Sequence, residues 1–273
     1  MAAVLDFMAD HPGQAFALTD LVRALKLSRA TCHALLTGLV QVGYLYRTSD
    51  KTYVLGPALA VIGRVAAEHF SPLQVAQPEM RRLADEYDVV CSAFFLEGDT
   101  ICSRERAASV SHVGYSIPVG TRVKLRPRGL STFFAWSPAE AKARLEAFKP
   151  PVTAEQRATF EGSMAFAREH GFNVHIRRRQ AGHVPVEPAF DVEDADFPVS
   201  LASELTPNAH YGLSSVTAPV FDGDGKVAFV MGLMGFHGEM TGAEIIEVGK
   251  TLKAACDRIT SFIAGKRRRR ASA

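Results

Sequence analysis

Apolar residues in the first sixty positions recur at helical spacing in three short segments. The first, at 4–8, is followed by a His-Pro-Gly sequence that should end its helix. A second stripe at 21–25 lies behind Thr19, a predicted N-cap. A third helix is predicted over 29–40, after Ser28, which is also a good N-cap. The pattern therefore predicts three helices joined by short turns.

The third predicted helix has an apolar face and a polar face. Two helices joined by a tight turn, the second opening on small polar residues, are typical of a helix-turn-helix. Its second helix enters the DNA major groove by its N-terminal end. Arg29 is able to form two hydrogen bonds with a guanine edge, and the positive helix N-terminus favours phosphate. The candidate DNA contacts on this helix are Ser28, Arg29, Ala30, Thr31, His33 and Thr37.

A β-hairpin is predicted directly after this helix. Alternating segments at 43–47 and 52–56 flank a polar turn, and a hairpin in this position is the wing of a winged helix-turn-helix. Arg47 and Lys51 are placed to contact phosphate. A small helical domain with an edge hairpin that binds another protein has the same pattern, so the pattern alone leaves both interpretations open.

Beyond residue 56 the pattern indicates a second, larger domain. Positions 57–70 have helical spacing without a polar break and predict a linker helix whose apolar face suits dimer contact. Further helices are predicted at 78–87, 130–136, 138–148, 154–170 and 241–263, and strands at 89–96, 100–105, 112–119, 213–221 and 227–235. Runs of strands with helices at both ends indicate an α+β domain, with an antiparallel sheet flanked by helices.

Composition and charge narrow the class of protein. The chain has 273 residues, 47% hydrophobic and 22% charged, which suits a globular protein with one small and one large domain. Its four cysteines lack metal-site spacing, and no secretory signal or membrane span is recognised, so a cytoplasmic protein is expected. The net charge of +2 depends on the basic run at 266–270. The remaining 26 basic residues are outnumbered by 29 acidic ones. Charge therefore gives no support to DNA binding, and the run is interpreted as a solvated tail.

The order of these motifs resembles the IclR family of transcription regulators. The pattern LxxLVxALxLSRATxHxLLxxLxxxGYLxR…YxLGPALxxIG is similar to the start of that family. Residues 78–87 resemble the P-x-x-x-x-L-A helix that opens its effector domain, and 217–227 resemble its A-A-P-V-F-D…G hairpin. The resemblance implies a GAF/PAS-like effector domain, a homodimer or homotetramer, a palindromic double-stranded DNA operator and a small-molecule effector.

The chain departs from this family at positions that bear on specificity. His33 stands where relatives often have Arg, so the base preference is expected to differ. Residues 123–131 differ from the P-L-H-A-T-A-x-G-K stretch of relatives, and the Met-Gly-Leu-Met-Gly sequence at 231–235 replaces small polar residues. Because both stretches fall where the family binds its ligand, the identity of the effector does not follow from the resemblance.

The resemblance places the effector pocket between the concave face of the sheet and two loops, 122–131 and 204–215. Such pockets are mostly apolar with a few polar groups, and an arginine beside one is able to hold a carboxylate. The candidate ligand-binding residues are Phe94, Arg122, Arg126, Arg128, Gly129, Glu204, His210, Ser214, Ser215, Gly232 and Met234. Ordinary core packing and solvated loop charges explain each residue equally well. Taken together, the set favours a small hydrophobic or aromatic acid.

The sequence lacks the motifs of common enzyme classes. The loose GxGxxA match at 223–228 lies between two predicted strands, where a β-turn is expected and a dinucleotide site is not. Four histidines (His170, His175, His183 and His210) fall in or near loops without an arguable nucleophile. The acidic run at 191–196 is interpreted as a solvated loop. No cofactor and no metal are expected.

These patterns predict a ligand-responsive transcription regulator that is not an enzyme. Its predicted parts are a winged helix-turn-helix domain at 1–56, a linker helix at 57–77, an effector domain at 78–265 and a basic tail at 266–273. A repressor of a catabolic operon is the favoured interpretation. The alternatives are a small-molecule enzyme whose first domain binds another protein, and a regulator that binds DNA without responding to a ligand.

Overall fold

The fold is described from a computed structural model, in which the chain divides into two units. The described residues are 2–9, 11, 13–69, 71–112, 117–177 and 199–264. The units are Met1–Ser71 and Pro72–Ala273, so the division lies within the segment 57–77 predicted as a linker. Among the helices that the structure describes, none combines the length and apolar character that a bilayer crossing requires.

The first unit is a small helical domain with a three-stranded sheet. Its elements are α1 (Ala2–Ala9), β1 (Phe16–Ala17), α2 (Leu18–Leu25), α3 (Arg29–Gln41), β2 (Leu45–Arg47), β3 (Thr52–Leu55) and α4 (Pro57–His69). The strands pair antiparallel in the order β1-β3-β2. One cluster of buried side chains joins α1, α2, α3 and the hairpin, and its members are Val4, Met8, Leu21, Cys32, Leu36, Leu39, Leu45 and Tyr53. The predicted winged helix-turn-helix is therefore confirmed as a fold.

The start of α2 differs from the prediction. The N-cap is Ala17, and Thr19 lies inside the helix. Because Phe16 pairs with Tyr53 in the sheet, the chain passes directly from β1 into the helix, two residues earlier than the hydroxyl suggested. The carboxylate of Asp20 accepts a hydrogen bond from the Ala17 backbone N–H at 2.9 Å and takes over the capping function. The predicted N-cap of α3, Ser28, is confirmed.

The second unit is built on a seven-stranded sheet in which all paired strands are antiparallel. Its elements are α5 (Pro72–Tyr87), β4 (Val90–Glu97), β5 (Thr100–Ala108), β6 (Arg122–Lys124), α6 (Pro127–Phe134), α7 (Pro138–Ala147), α8 (Ala154–His170), β7 (Asn173–Arg177), β8 (Val199–Leu201), β9 (His210–Tyr211), β10 (Leu213–Phe221), β11 (Val227–Met234), β12 (Met240–Thr241) and α9 (Gly242–Ile263). The strand order is β6-β5-β4-β11-β10-β7-β8, and β12 and β9 form a separate pair.

Helices cover both faces of this sheet. Residues of α5 and α9 pack against one face, where Leu83, Phe229 and Leu252 are fully buried. Residues of α6, α7 and α8 form a second core with Val230 of β11 on the opposite face, which we call the α6 face. Successive strand residues alternate between the two cores because side chains along a strand alternate in direction. The predicted α+β class is confirmed.

Two helices of this unit begin earlier than predicted. Helix α5 starts at Pro72 and continues through Pro78, where a start was expected. Its first turns already pack on the core through Leu73, Val75 and Ala76, and this burial offsets the backbone hydrogen bond that Pro78 is unable to donate. Helix α6 starts at Pro127, a residue favoured in the first turn of a helix.

The turn between β10 and β11 is confirmed as a β-turn. The Asp222 carboxylate accepts hydrogen bonds from the backbone N–H groups of Asp224 and Lys226, both at 2.9 Å. Of the strand predicted at 112–119, the described residues are not strand, and 113–116 lie outside the described residues. The acidic run at 191–196, His183 and the basic tail also lie outside them.

Candidate functional site

The polar face predicted on α3 is presented to solvent. Cys32, Leu36 and Leu39 are completely buried beneath it and fix the rotation of the helix. All of the predicted contact residues are exposed: Ser28, Arg29, Ala30, Thr31, His33 and Thr37. Helix α3 contains no aspartate or glutamate, so no carboxylate of the helix itself would repel a phosphate approaching this face.

Three hydroxyl side chains of the α3 face form hydrogen bonds at its N-cap or within the helix. The Ser28 hydroxyl accepts from the Thr31 backbone N–H at 3.1 Å and lies 2.8 Å from the Thr31 hydroxyl. The Thr37 hydroxyl donates to the His33 carbonyl at 2.9 Å. These three side chains therefore stabilise the helix. Arg29 and His33 remain as the long side chains of this face that are able to reach a base edge.

The predicted wing is the hairpin of β2 and β3. The Thr48 and Thr52 hydroxyls are 2.7 Å apart across its turn. Arg47 is exposed, with its guanidinium carbon 5.8 Å from the centre of the Tyr53 ring. Lys51 is exposed and adopts a left-handed backbone conformation with φ 60°. Both cations thus project from an ordered hairpin, as phosphate contacts require.

The predicted apolar wall of the effector site comes together on the α6 face of the sheet. A Cβ atom added to Gly232 would lie 3.2 Å from Cε2 of Phe94 and 3.4 Å from Cε of Met234. Ser215 pairs with Met234 in the sheet and occupies the same face. The structure therefore brings together four of the predicted residues, and the tips of two flexible side chains lie over the glycine.

A row of polar residues crosses this face and was not predicted. Gly232 pairs with Ser92 on one side and with Thr217 on the other, and Thr217 pairs with Asn173. Ser92, Thr217 and Asn173 are 0%, 7% and 1% exposed. Their oxygens Oγ, Oγ1 and Oδ1 have no hydrogen-bond partner among the residues that the structure describes. We call Ser92, Gly232, Thr217 and Asn173 the polar row.

Two further buried hydroxyls lie close to the polar row in the fold. Ser103 pairs with Phe94, and Ser131 belongs to α6, the helix that packs on β10 and β11. Their Oγ atoms have no partner within the described part of the chain. All five are small polar residues within buried strands or a buried helix, and the sequence alone does not distinguish them from small residues that a core tolerates.

The predicted arginines have different environments. Arg122 is exposed on β6 and donates to the Glu97 carboxylate at 2.9 Å. A hydrogen bond from Arg104, with that from Arg122, lowers the pKa of Glu97 to about 2. Arg122 is thus engaged in an ion pair. Arg126 is half-buried directly before α6. The side chain of Arg128 lies outside the described residues.

The remaining predicted ligand residues are dispersed. Gly129 lies in α6, where an added Cβ would be 3.2 Å from Leu125 and 3.3 Å from Ile101. Glu204 is exposed in a loop, and Ser214 faces away from Ser215 along β10. His210 lines a separate cleft of about 630 Å³, together with Ile176, Arg177, Tyr211, Gly212, Gly238 and Glu239.

No metal site is recognised in the described part of the chain. Its histidine, cysteine, aspartate and glutamate side chains form no group of three or more that could hold an ion. The four cysteines are free and buried, and burial raises the pKa of Cys91 and Cys256 above the ordinary value. Their thiols are poor nucleophiles for that reason.

Comparison with known proteins identifies the first unit. Residues 1–49 match the family model of the IclR helix-turn-helix domain. HTH-type transcriptional regulator KipR of Bacillus subtilis (strain 168) is 23% identical over 123 residues, which is 45% of this chain and 48% of that protein. The match therefore spans about half the length of this curated relative.

Solved structures match the fold over nearly the whole chain. The repressor BlcR of Agrobacterium tumefaciens has a TM-score of 0.66 at 16% identity, covering 96% of this chain and 95% of that one. HmgR of Pseudomonas aeruginosa has 0.60 at 18% identity, covering 96% of each. IclR of Thermotoga maritima has 0.50 at 17% identity, also covering 96% of each.

Fold and motif define the class: a winged helix-turn-helix domain followed by an α+β domain with a sheet between helices, as in transcription regulators of the IclR type. The amino-terminal domain carries the signature of that family, and the whole chain has the corresponding fold. The first unit thus matches the IclR helix-turn-helix domain, and the chain as a whole is similar in fold to solved transcription regulators such as BlcR and the IclR protein of Thermotoga maritima.

Proposed function

We propose that this protein is a DNA-binding transcription regulator whose second unit senses a small molecule. The observation that carries the proposal is the exposed face of α3, which is capped by Ser28, lacks carboxylates and is followed by a wing bearing Arg47 and Lys51. This is the arrangement that reads the major groove and holds flanking phosphates. Arg29 and His33 are proposed as the base-reading side chains.

The proposed effector is a small hydrophobic or aromatic acid bound on the α6 face. Phe94 and Met234 over Gly232 support an apolar site. Arg126, which is half-buried directly before α6, is the arginine proposed to hold the carboxylate. Effector binding would shift the population between DNA-binding and non-binding arrangements, which requires different affinities for the two.

The regulator is proposed to act as a homo-oligomer on a palindromic operator. Val61, Ile62 and Val65 of α4 are 53%, 47% and 48% exposed, and an apolar stripe of this kind on a helix suits contact with a second copy. Two copies related by a two-fold axis would read two half-sites. We further propose a cytoplasmic location, which the free cysteines support.

The direction of regulation is proposed to be repression of a catabolic operon. The Agrobacterium tumefaciens relative of similar fold is a repressor. A dimer on an operator that overlaps a promoter would exclude polymerase until the effector releases it.

Footprinting of the promoter regions beside the gene tests the proposal. We expect two protected half-sites whose centres are about 34 Å apart, or a multiple of this, since one turn of DNA separates equivalent groove positions. A repressor should lose protection when effector is added and should lower transcription in vitro. Absence of protection at low salt, with and without hydrophobic and aromatic acids, would contradict DNA binding. Protection combined with increased transcription would contradict repression but not DNA binding.

A further inference from the structure

The polar row has a defined geometry. Ser92, Gly232, Thr217 and Asn173 lie opposite one another on four adjacent strands, β4, β11, β10 and β7. Residues on either side of each polar member, such as Cys91 and Ala93 beside Ser92, belong to the core on the other face. Their side chains therefore share the α6 face. Adjacent strands are about 4.8 Å apart, so the Ser92 and Thr217 backbones are separated by about 10 Å across the glycine.

Packing alone does not explain these residues. Nearly all buried polar side-chain atoms in native proteins have a hydrogen-bond partner, because the bonds to water lost on burial must be replaced. Here three neighbouring oxygens, Ser92 Oγ, Thr217 Oγ1 and Asn173 Oδ1, have no partner among the described residues. A domain selected only for stability would favour alanine or valine at such positions. The row is suited to a partner that arrives from outside.

A partner would reach the row by displacing the side chains that lie over Gly232. The three atoms nearest to a Cβ built there are Cε2 of Phe94 at 3.2 Å, Cγ2 of Thr217 at 3.3 Å and Cε of Met234 at 3.4 Å. Uncovering the glycine requires Met234, an unbranched side chain, to rotate and the ring of Phe94 to shift. A ring occupying this position would have Ser92 on one side and Thr217 on the other.

The row itself carries no charge. A carboxylate placed among serine, threonine and asparagine side chains would be buried without a cation, which is unfavourable, whereas hydroxyl and amide groups would satisfy the orphan oxygens. We propose that the polar row recognises uncharged hydroxyl or amide groups on opposite sides of a ring-shaped effector. Any carboxylate of that effector lies outside the row. This inference rests on the sensing function proposed above and specifies its ligand class.

Thermal unfolding of the full-length protein tests this assignment without the natural effector. The probes are 1,4-dihydroxybenzene, 4-methylphenol and benzoate at millimolar concentration. The variants are Ser92→Ala and Thr217→Val, with Ser163→Ala as the matched control. Ser163 is also fully buried, but its hydroxyl donates to the Phe160 carbonyl at 2.9 Å.

We expect 1,4-dihydroxybenzene to raise the Tm of the wild type more than 4-methylphenol does, and benzoate to have no effect that depends on the row. Each row variant should weaken 1,4-dihydroxybenzene binding about tenfold, as loss of one buried hydrogen bond implies. Without probe, the row variants should have an unchanged or higher Tm, while Ser163→Ala should have a lower one.

Three results would overturn the assignment. One is a Tm of the probe-free row variants that falls as far as that of Ser163→Ala. Another is equal probe shifts in wild type and row variants, or no shift in either. The third is row-dependent binding of benzoate. Operator footprints of the same variants test DNA binding separately from the ligand assignment of the polar row. If the footprints are retained but the probe results contradict the assignment, the proposal of DNA binding stands and the ligand assignment is wrong. If the probe results support the assignment but no footprint is seen, the ligand assignment stands and the proposal of a DNA-binding regulator is wrong.

Discussion

Arg29 is the side chain on which we expect base-specific recognition by α3 to depend most. It is exposed in the first turn of the helix, directly after the capping serine. We expect Arg29→Ala to relax the preference at one operator position by about 1–3 kcal/mol while other positions keep theirs. Binding selection from a randomised operator library, read by sequencing, measures this.

Arg47→Ala is the matched control for Arg29→Ala, because it also removes an arginine, but from the wing and not from α3. If Arg47 binds a phosphate, its removal should weaken binding to all sequences alike and reduce the slope of log K against log salt by about 1. If Arg29→Ala behaved in this way as well, Arg29 would be a phosphate ligand and base recognition would fall to His33.

A pair of residues between α5 and α9 offers a pH-dependent test of stability. Arg258 donates two hydrogen bonds to Glu79, at 2.6 and 2.8 Å, and these bonds, with a further one from Arg82, hold the pKa of Glu79 below its ordinary 4.5. A lowered folded-state pKa means that the stabilisation is complete above pH 4.5 and is lost as pH falls through the lower value.

We expect Glu79→Gln to lower the free energy of unfolding at neutral pH by about 0.5–1 kcal/mol, a modest effect because Arg258 is half exposed and solvent screens the pair. The difference from wild type should vanish in acid below the folded-state pKa. Urea unfolding across this pH range measures it, and Glu86→Gln, which removes an exposed partner of Arg82, is the control. A difference that persists in acid would point to packing and not to charge.

At the scale of elements, local signals in the sequence predicted the structure well. The helix predicted at 154–170 is confirmed as α8, whose ends are set by the capping box of Thr153 and Gln156 and by the left-handed Gly171, groups that act within a few residues of the helix ends. Short strands such as β6 and β8 were missed because three residues carry too little periodicity. Thr19 was misassigned because pairing of β1 with β3 moved the helix start.

The two candidate sites differ in the same way: local sequence patterns predicted the α3 face, whereas the polar row depends on contacts between residues far apart in the sequence. Exposure of the α3 face followed from its own periodicity. The polar row did not, because its members lie far apart in the sequence and meet only through strand register. Ser92 stands in an apolar run that predicts a buried strand, and nothing local distinguishes it from a tolerated small residue. The predicted arginines were chosen by type, yet Arg122 is already bound to Glu97.

Helix α4 is the element whose exposed apolar residues call for a partner. If the proposed oligomer forms through this face, Ile62→Glu should dissociate it, because a carboxylate at a position that is 47% exposed in the monomer would be buried in the interface. Ala60→Glu, on the opposite side of the same exposed helix, should leave the oligomer intact. Analytical ultracentrifugation measures both, and equal masses for the two variants would exclude this face as the contact.

At the scale of the whole molecule, the proposed function requires that effector binding and DNA binding be coupled reciprocally. If the effector weakens operator binding by a given factor, the operator weakens effector binding by the same factor. We expect titration calorimetry of effector with and without operator to match operator titrations with and without effector. Independent affinities would show that the second unit binds its ligand without regulating the first.

The alignment of the polar row has a consequence for engineering. Backbone hydrogen bonds between four strands fix the register of its positions. Side chains at these positions are therefore expected to be exchangeable without a change in the backbone of the sheet. If the polar row binds the effector as proposed, a library limited to positions 92, 173, 217 and 232 samples new ligand chemistries, while the proposed DNA-reading surface stays constant. Transcription from one fixed promoter would then report each new specificity, which makes this domain a starting point for tunable biosensors.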